Sequence, residues 1–243
     1  MNSFKKIIRC ILIFLNIDLT KNLEYDRLTQ LVIKRILKKD SNCIDVGAHK
    51  GEILDYILKQ SPEGKHYGFE PIPEMYEALT KKFHNKATIY QYALSNKIGE
   101  STFNIVKNSP AYSGIKQRKY DIPNPQIEKI EVRLMPLDEV IPPEVKISFI
   151  KIDVEGGEFD VIKGGINLIK KDKPTIIFEC GIASSDFYGV KPQEFYQLLN
   201  NELELKIYTL KSFLKKEPSL SEEEFIEYYH NNKEYYFIAS SEN

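Results

Sequence analysis

One turn in the sequence combines glycines with a carboxylate in a spacing that suits a cofactor. Asp45 lies in a short apolar run, 43–46, and Gly47 and Gly51 follow it in the pattern D-x-G-x-x-x-G. Glycines let a ligand approach the backbone closely, and the helix that follows offers free N–H groups. Glu70 ends the next predicted strand, where an acid can accept hydrogen bonds from both hydroxyls of a ribose.

These residues favour one class of cofactor over another. Asp45 would repel a pyrophosphate, and the turn lacks the third glycine of the dinucleotide-binding motif. Donors that are cationic or hydroxylic suit the turn better. S-adenosylmethionine carries an amino group, a sulfonium and two ribose hydroxyls, so we expect it to bind here rather than NAD. His49 and Lys50, inside the turn, have no predicted role.

A second group of charged residues lies in the segment 149–165, which reads FIKIDVEGGEFDVIKGG. Lys151, Asp153, Glu155 and Glu158 crowd the end of an apolar strand. The dipole of a helix N-terminus favours acids and accounts for Glu158, and less directly for Glu155. It does not account for Asp153 at the mouth of the strand. Asp153 is therefore predicted to be functional.

The hydrophobic pattern predicts the elements that position these residues. Alternating strands and helices indicate one doubly wound α/β domain, with a mostly parallel sheet and a last strand that enters antiparallel. Ligands bind such sheets at the carboxyl ends of the strands. The predicted strands are 43–46, 65–71, 87–93, 101–106, 147–154, 175–180, 204–210 and 234–240, and the predicted helices are 23–39, 52–60, 73–83, 157–169, 192–201 and 221–230. Residues 107–130 are predicted to form an irregular binding loop.

Composition narrows the classes of protein and partner. The 243 residues include 34 basic and 35 acidic ones, for a net charge of −1. No general basic field is available to hold nucleic acid, so we expect no such partner. The three cysteines are scattered and form no C-x-x-C pair, which indicates a reduced, cytoplasmic protein.

The N-terminal stretch 4–17, FKKIIRCILIFLNI, is apolar but short. Arg9 and Asn16 interrupt it, and a bilayer span needs about 20 apolar residues. Two interpretations stay open. The stretch is either a helix packed on the domain or on a second subunit of a homodimer, or an amphipathic helix lying on the inner face of the membrane.

Several segments taken together resemble the FkbM family of S-adenosylmethionine-dependent methyltransferases. The matching segments are IDVGAHKGE (44–52), YGFEPIPEMYEAL (67–79), YALSNKIGE (92–100), LDEV (137–140), FIKIDVEGGEFDVIKGG (149–165) and PTIIFE (174–179). The resemblance implies a class I methyltransferase (Rossmann-like) fold of seven strands, the last antiparallel, over residues 41–243, after an N-terminal helical extension over 1–40. It also implies O-methylation, often of a sugar hydroxyl in a glycan, a glycolipid or a related metabolite, as in polysaccharide biosynthesis.

The resemblance implies roles for individual residues as well. Asp45, Gly47 and Gly51 would line the methionine end of the cofactor, Glu70 would take the ribose, Ala93, Leu94 and Ser95 would lie at the adenine, and Ala48 and Pro71 complete the expected cofactor-binding set. Asp153 would face the reaction centre and touch the cofactor. The turn of this family more often reads G-A-N-x-G, so His49 departs from the pattern.

Methyl transfer to a hydroxyl needs a group that accepts the hydroxyl proton. Asp153 is the expected base, and Glu179, at the end of the next core strand, is expected to lie beside it. Lys151 would neutralise either acid. Alternatively, Asp153 and Glu179 share Mg²⁺ or another divalent cation that lowers the pKa of the hydroxyl.

Recognition of the acceptor is expected to fall to the loop 107–130 and to the segment 181–190. Tyr112, Ser113 and Arg118 combine a ring face with hydrogen-bond donors, which suits a sugar. An ordinary surface loop packed on the core is the alternative. Two other functions also stay open: a nucleotide (NAD)-dependent oxidoreductase, and a non-catalytic cofactor-binding protein of the same fold.

Overall fold

The computed structural model describes residues 20–118, 120, 122–182 and 186–241. The segment 4–17, for which membrane contact and packing were both predicted, lies outside these residues, and so does Cys10. The two described cysteines, Cys43 and Cys180, are buried. Within the described ranges, no helix has the length and apolar content needed to cross a membrane.

A seven-stranded sheet forms the centre of the fold. The described residues form the strands β1 (Asn42–Val46), β2 (His66–Phe69), β3 (Thr88–Tyr90), β4 (Ala93–Leu94), β5 (Gly99–Val106), β6 (Ile127–Met135), β7 (Ile147–Ile152), β8 (Thr175–Glu179), β9 (Lys206–Thr209) and β10 (Tyr236–Ser240). The central sheet has the order β3-β2-β1-β7-β8-β10-β9. Its strands are parallel except β10, which is antiparallel to both β8 and β9. The predicted doubly wound sheet with an antiparallel last strand is confirmed.

The central strands are apolar because both of their faces are covered. Ile44 and Ile150 pack into the hydrophobic core on one side of the sheet. Cys43 and Phe149, which precede them in the chain, pack into the core on the other side. A strand that is buried on both faces can present a polar side chain to a ligand only at its end. This constraint places the site at the carboxyl edge of the sheet.

Helices cover both faces of the sheet. They are α1 (Lys21–Ile36), α2 (Glu52–Gln60), α3 (Pro73–Lys82), α4 (Leu137–Val140), α5 (Glu158–Lys163), α6 (Ile166–Asp172), α7 (Pro192–Tyr196), α8 (Leu210–Lys215) and α9 (Glu222–His230). Thr20 caps α1 by accepting a hydrogen bond from the backbone N–H of Leu23. Val32 and Ile33 of α1 are fully buried in the same core as Phe213 of α8. The division of the chain at residue 40 stays a prediction, although α1 shares this core.

A second sheet, with the order β4-β6-β5, differs from the prediction. The predicted strand 87–93 is divided, because Thr88–Tyr90 pairs with β2 whereas Ala93–Leu94 pairs with β6. The predicted irregular loop ends too late, since 127–130 already belong to β6. This strand pairs with β5 along its length and exposes many of its residues. Its sequence is therefore charged, and a search for apolar strands misses it.

The predicted helix 157–169 is also divided, into α5 and α6, at Gly164 and Gly165. A Cβ atom on Gly164 would lie 2.1 Å from the carbonyl oxygen of Ser95, so only glycine allows the chain to pass there. The predicted helix 192–201 is shared between α7 and a π-helix over Gln197–Glu202. Helix α8 was not predicted.

Candidate active site

The carboxyl ends of the central strands line one cavity of about 600 Å³. The predicted site residues that line it are Asp45, Gly47, Ala48, Glu70, Pro71, Ala93, Leu94, Tyr112, Ser113, Arg118, Lys151, Asp153 and Glu179. Gly51 caps α2 and does not line the cavity. A cavity of this volume accommodates a cofactor-sized ligand. The fold thus brings together residues that lie more than 130 positions apart in the chain.

The glycine turn after β1 is shaped by close contacts with neighbouring backbone. Gly47 has a φ of +76°, and a Cβ atom on it would lie 2.0 Å from the carbonyl oxygen of Asp153. Gly51 has a φ of +68°, and its Cβ would lie 2.4 Å from the ring of Phe83. Both positions therefore require glycine. Because residue 47 has no Cβ atom, the turn after β1 and the loop after β7 can lie directly against each other.

Asp45 offers the cavity a buried carboxylate with unused capacity for hydrogen bonding. Only 1% of the residue is exposed, and its Oδ1 atom accepts no hydrogen bond from the described residues. Burial raises the pKa of Asp45 to about 6, although the ammonium of Lys151 opposes this increase. Lys151 is the register partner of Asp45 across β1 and β7. An amino group of a ligand would satisfy Oδ1, as the α-amino group of S-adenosylmethionine can.

Glu70 is held in one orientation by the backbone around it. Its Oε2 accepts the N–H of His49 at 2.9 Å, and its Oε1 accepts the N–H of Ile72 at 3.0 Å. Burial raises the pKa of Glu70 to about 7, and these two hydrogen bonds limit the increase. Each carboxylate oxygen keeps a second lone pair, so both can still accept from ribose hydroxyls. His49, which had no predicted role, thus fixes Glu70 through its backbone, with a φ of +47°.

Apolar side chains line the cavity beside Glu70. Ala93 and Leu94 of β4 line it as predicted, and Ile72, Tyr92 and Phe103 join them. None of these three was predicted to line the site. Phe103 comes from β5 of the second sheet, which the sequence did not indicate. Together they form an apolar surface of the kind that an adenine ring requires.

Asp153 follows β7 and is held by two donors on one oxygen atom. Lys151 Nζ lies 2.9 Å from Oδ2 of Asp153, and the hydroxyl of Tyr236 lies 2.6 Å from the same Oδ2. Burial acts to raise the pKa of Asp153, but Lys151 and the Tyr236 hydroxyl lower it below its ordinary value. Burial acts to lower the pKa of Lys151, but Asp153 and Asp45 raise it. Asp153 is therefore an ionised carboxylate and Lys151 an ammonium at neutral pH.

Two further carboxylates stand beside Asp153. Carboxylate oxygens of Asp153, Glu155 and Glu179 lie within 4.8 Å of one another. Cations already engage two of these acids, since Lys151 pairs with Asp153 and Arg118 pairs with Glu155. The positive charges of Lys151 and Arg118 would repel a divalent cation placed among these acids. The residues therefore fit a metal ion poorly.

The predicted acceptor loop reaches the cavity through Arg118 and Tyr112. The guanidinium of Arg118 lies 5.1 Å from the centre of the Tyr112 ring and forms an ion pair with Glu155. Ser113 anchors the loop instead, because its buried Oγ accepts a hydrogen bond from the backbone N–H of Val106 at 3.0 Å. Arg118 and Tyr112 are thus presented to a ligand, and Ser113 supports the loop that carries them.

Some residues that line the cavity were missed because they come from distant parts of the chain. They are Asn22, Tyr25, Asp26 and Thr29 of α1, together with Asn232, Tyr235 and Tyr236 at the start of β10. An antiparallel strand begins at the edge where its parallel neighbours end. The predicted antiparallel last strand was therefore the one sequence signal that could have pointed to Tyr236.

Comparison with solved structures finds remote likenesses, among them two methyltransferases. The methyltransferase FkbM from Methylobacillus flagellatus shares 15% identity and a TM-score of 0.49, covering 70% of this chain, which spans only 40% of the length of that protein. The Methanococcus jannaschii fibrillarin pre-rRNA processing protein shares 15% identity and a TM-score of 0.46, covering 88% of this chain and 74% of its own. The plantazolicin methyltransferase BpumL in complex with SAH shares 14% identity and a TM-score of 0.42, covering 87% and 80%. Among curated proteins, none matches the chain.

A family model identifies the chain where these remote likenesses do not. The model of the methyltransferase FkbM domain matches residues 45–216, more than half of the sequence. The matched range includes the glycine turn, Glu70 and Asp153, whose geometry suits S-adenosylmethionine as described above. The chain therefore belongs to the FkbM methyltransferase family and is an S-adenosylmethionine-dependent methyltransferase.

Proposed function

We propose that the protein is an O-methyltransferase that methylates a hydroxyl of a sugar in a glycan, a glycolipid or a related metabolite. One observation carries the proposal. The carboxylate of Asp153 lies at the cavity that Asp45 and Glu70 line, and two donors hold it by a single oxygen. A carboxylate fixed in this way is suited to accept a hydroxyl proton beside a bound cofactor.

Different residues of the cavity would bind the cofactor, accept the proton and stabilise the base. S-adenosylmethionine, when bound, supplies an electrophilic methyl group on a sulfonium. Asp45 would accept a hydrogen bond from its amino group, and Glu70 would accept hydrogen bonds from its ribose. Asp153 would take the proton of the acceptor hydroxyl as the new oxygen–carbon bond forms and the sulfur–methyl bond breaks, which releases S-adenosylhomocysteine. Lys151 would keep Asp153 ionised until then, because its ammonium stabilises the carboxylate.

The lining of the cavity supports a hydroxylated acceptor. Planar polar side chains and aromatic rings are both part of it, among them Asn22, Asp26, Asn232, Tyr112 and Tyr235. Such side chains hydrogen-bond hydroxyls with their planar groups and cover the carbon faces of a sugar with their rings. This set supports a saccharide better than it supports a fully apolar acceptor.

Asp153→Asn tests the proposed base. The amide keeps the size of the side chain and loses the ability to accept a proton at neutral pH. We expect turnover to fall at least 100-fold while affinity for S-adenosylmethionine, measured by calorimetric titration, changes little. Glu202→Gln, an exposed acid paired with Lys170, is the matched control. Full activity of Asp153→Asn would refute the assignment.

Two assays test the cofactor and the acceptor. Calorimetric titration is expected to show binding of S-adenosylmethionine and none of NAD. A screen of nucleotide sugars and glycolipids, with formation of S-adenosylhomocysteine as the readout, is expected to identify the acceptor. If the protein bound S-adenosylmethionine but turned over none of these acceptors, the sugar assignment would fail.

A requirement for Mg²⁺ at Asp153 and Glu179 stays a prediction, and the ion pairs of Lys151 and Arg118 argue against it. Treatment with a chelator, followed by turnover measurements with and without added Mg²⁺, tests it. Unchanged turnover after chelation would exclude the metal.

Membrane contact through residues 4–17 and formation of a homodimer also stay predictions, together with a location in the cytoplasm. Deletion of residues 1–19 retains Thr20, which caps α1. Co-sedimentation with anionic lipid vesicles and sedimentation velocity of this variant test the two ideas. If neither measurement changed on deletion, neither role would belong to this segment.

A further inference from the structure

Tyr236 contacts the carboxylate that we propose as the base, although it lies outside the residues that the family model matches. Its hydroxyl lies 2.6 Å from Oδ2 of Asp153, and Lys151 Nζ lies 2.9 Å from the same atom. Both donors use Oδ2, so neither of them occupies Oδ1. A carboxylate with two donors on one oxygen has its plane and its direction fixed.

The topology of the sheet explains how Tyr236 reaches this position. It is the first residue of β10 and pairs with Glu179, the last residue of β8. Because β10 runs antiparallel, its first residue lies at the edge where β7 and β8 end. The phenol is half-buried, and desolvation together with Asp153 raises the pKa of Tyr236 well above its ordinary value. Tyr236 therefore stays a hydrogen-bond donor at neutral pH.

Helix α1 supports the segment that carries Tyr236. The ring of Tyr25 lies 4.9 Å from the ring of Tyr236, and its hydroxyl is hydrogen-bonded to Glu234 and accepts the backbone N–H of Tyr235 at 3.2 Å. Lys21 Nζ forms an ion pair with Glu234 at 3.0 Å. Both α1 and β10 lie outside residues 45–216. Segments beyond the matched range thus complete the surroundings of Asp153.

We propose that Tyr236, supported by Tyr25 of α1, is a positioning residue that orients Asp153 so that Oδ1 faces the acceptor hydroxyl. The inference rests on the proposed function, because it assigns a purpose to the orientation of Asp153. Removal of one hydrogen bond to a charged group typically changes the equilibrium constant between the held orientation and the others by about tenfold or more. Tyr236→Phe is therefore expected to reduce turnover about tenfold near neutral pH and to move the acid limb of the pH profile to higher pH.

The orientation can be tested without knowing the acceptor. Full-length protein labelled with [4-¹³C]aspartate is titrated by NMR, and Asp153→Asn identifies the resonance of Asp153. In Tyr236→Phe, which keeps the ring, we expect this carboxyl to titrate at a higher pH than in the wild type. Tyr208→Phe removes the hydroxyl of a buried tyrosine on β9, away from the cavity, and is expected to leave the titration unchanged. An unchanged titration of Asp153 in Tyr236→Phe would overturn the proposal.

A second measurement covers the case in which Tyr236→Phe does not fold. The short contact predicts a downfield phenolic proton resonance in the wild type that is lost in Asp153→Asn. Persistence of every such resonance in Asp153→Asn would also overturn the proposal. These readouts are independent of the base assignment: if Asp153→Asn kept full turnover, the base would be wrong, whereas the titrations would still report whether Tyr236 holds Asp153.

Discussion

Replacing Gly47 with alanine tests whether the two loops of the site must touch. A Cβ at Gly47 would lie 2.0 Å from the carbonyl oxygen of Asp153, and real Cβ contacts essentially never fall below 3.0 Å. One of the two backbones must therefore move by about 1 Å, and a misplacement of about 1 Å at a reacting group costs roughly 100-fold in rate. We expect Gly47→Ala to reduce turnover about 100-fold and to weaken binding of S-adenosylmethionine.

The same substitution also destabilises the fold in two ways, through the positive φ and through the clash with backbone. Substitutions at other glycines measure these two effects one at a time. A left-handed backbone costs alanine about 1–2 kcal/mol. Gly189 has a φ of +72° and no atom within 4 Å of its Cβ position, so Gly189→Ala measures this cost alone. Gly64 has no positive φ, but its Cβ would lie 2.0 Å from the carbonyl oxygen of Ser41, so Gly64→Ala measures a backbone clash outside the cavity. Gly99→Ala has neither feature.

The assays are thermal denaturation, calorimetric titration with S-adenosylmethionine, and turnover with an acceptor found by the screen. Gly64→Ala is expected to lose stability and to keep its affinity and turnover. Gly47→Ala is expected to lose all three. If Gly47→Ala kept wild-type turnover while losing no more stability than Gly189→Ala, the contact with Asp153 would not position the site, and the reasoning would be wrong.

Three further predictions concern the cofactor and acceptor ends of the cavity. Glu70→Gln removes a charged acceptor of the ribose hydroxyls, so affinity for S-adenosylmethionine by calorimetry should fall about 10- to 100-fold, whereas equal affinity would exclude Glu70 from the cofactor site. The pKa of Asp45 is raised from 3.8 to about 6 in the folded state, so the folded protein binds this proton more tightly than the unfolded chain does. The contribution of Asp45 to stability is therefore present below pH 3.8 and is lost as the pH rises through 6. Asp45→Asn should therefore stabilise the cofactor-free protein at pH 8, by up to about 3 kcal/mol in denaturant titrations, and bind S-adenosylmethionine more weakly; a less stable variant at that pH would contradict this. Arg118→Gln breaks the ion pair with Glu155 and should raise the KM for the acceptor about tenfold with an unchanged Kd for S-adenosylmethionine, and the opposite pattern would move Arg118 to the cofactor site.

The central sheet was predictable because its strands carry a strong local signal. β1, β7 and β8 are short apolar runs bounded by turn residues, and each has an acid within one residue of its carboxyl end. Parallel strands bring these ends together whatever the loops do. Asp45, Asp153 and Glu179 could therefore be grouped from the sequence alone, before any contact was known.

The second sheet and the donor on Asp153 depend on pairings that no local pattern records. β6 is charged along its exposed residues because it pairs with β5 outside the main core. Tyr236 follows Tyr235 in an aromatic run that reads as ordinary packing. Its contact with Asp153 exists because β10 enters antiparallel and pairs Tyr236 with Glu179. Both features are set by tertiary register, which a single sequence expresses weakly.

The position of β10 has a consequence for the order of folding. It is later in the chain than β8 and β9, yet it lies between them and hydrogen-bonds to both. Before it pairs, the outer edge of β8 has no partner, and β9, whose only partner among the described strands is β10, is not yet part of the sheet. An unpaired edge promotes aggregation, and the non-local pairing that covers it is slow. Tyr236 enters with this strand. Pairing of β10 with β8 and completion of the hydrogen bonds around Asp153 are therefore the same event. A chain in which β10 has not yet paired holds that carboxylate through Lys151 without the phenol.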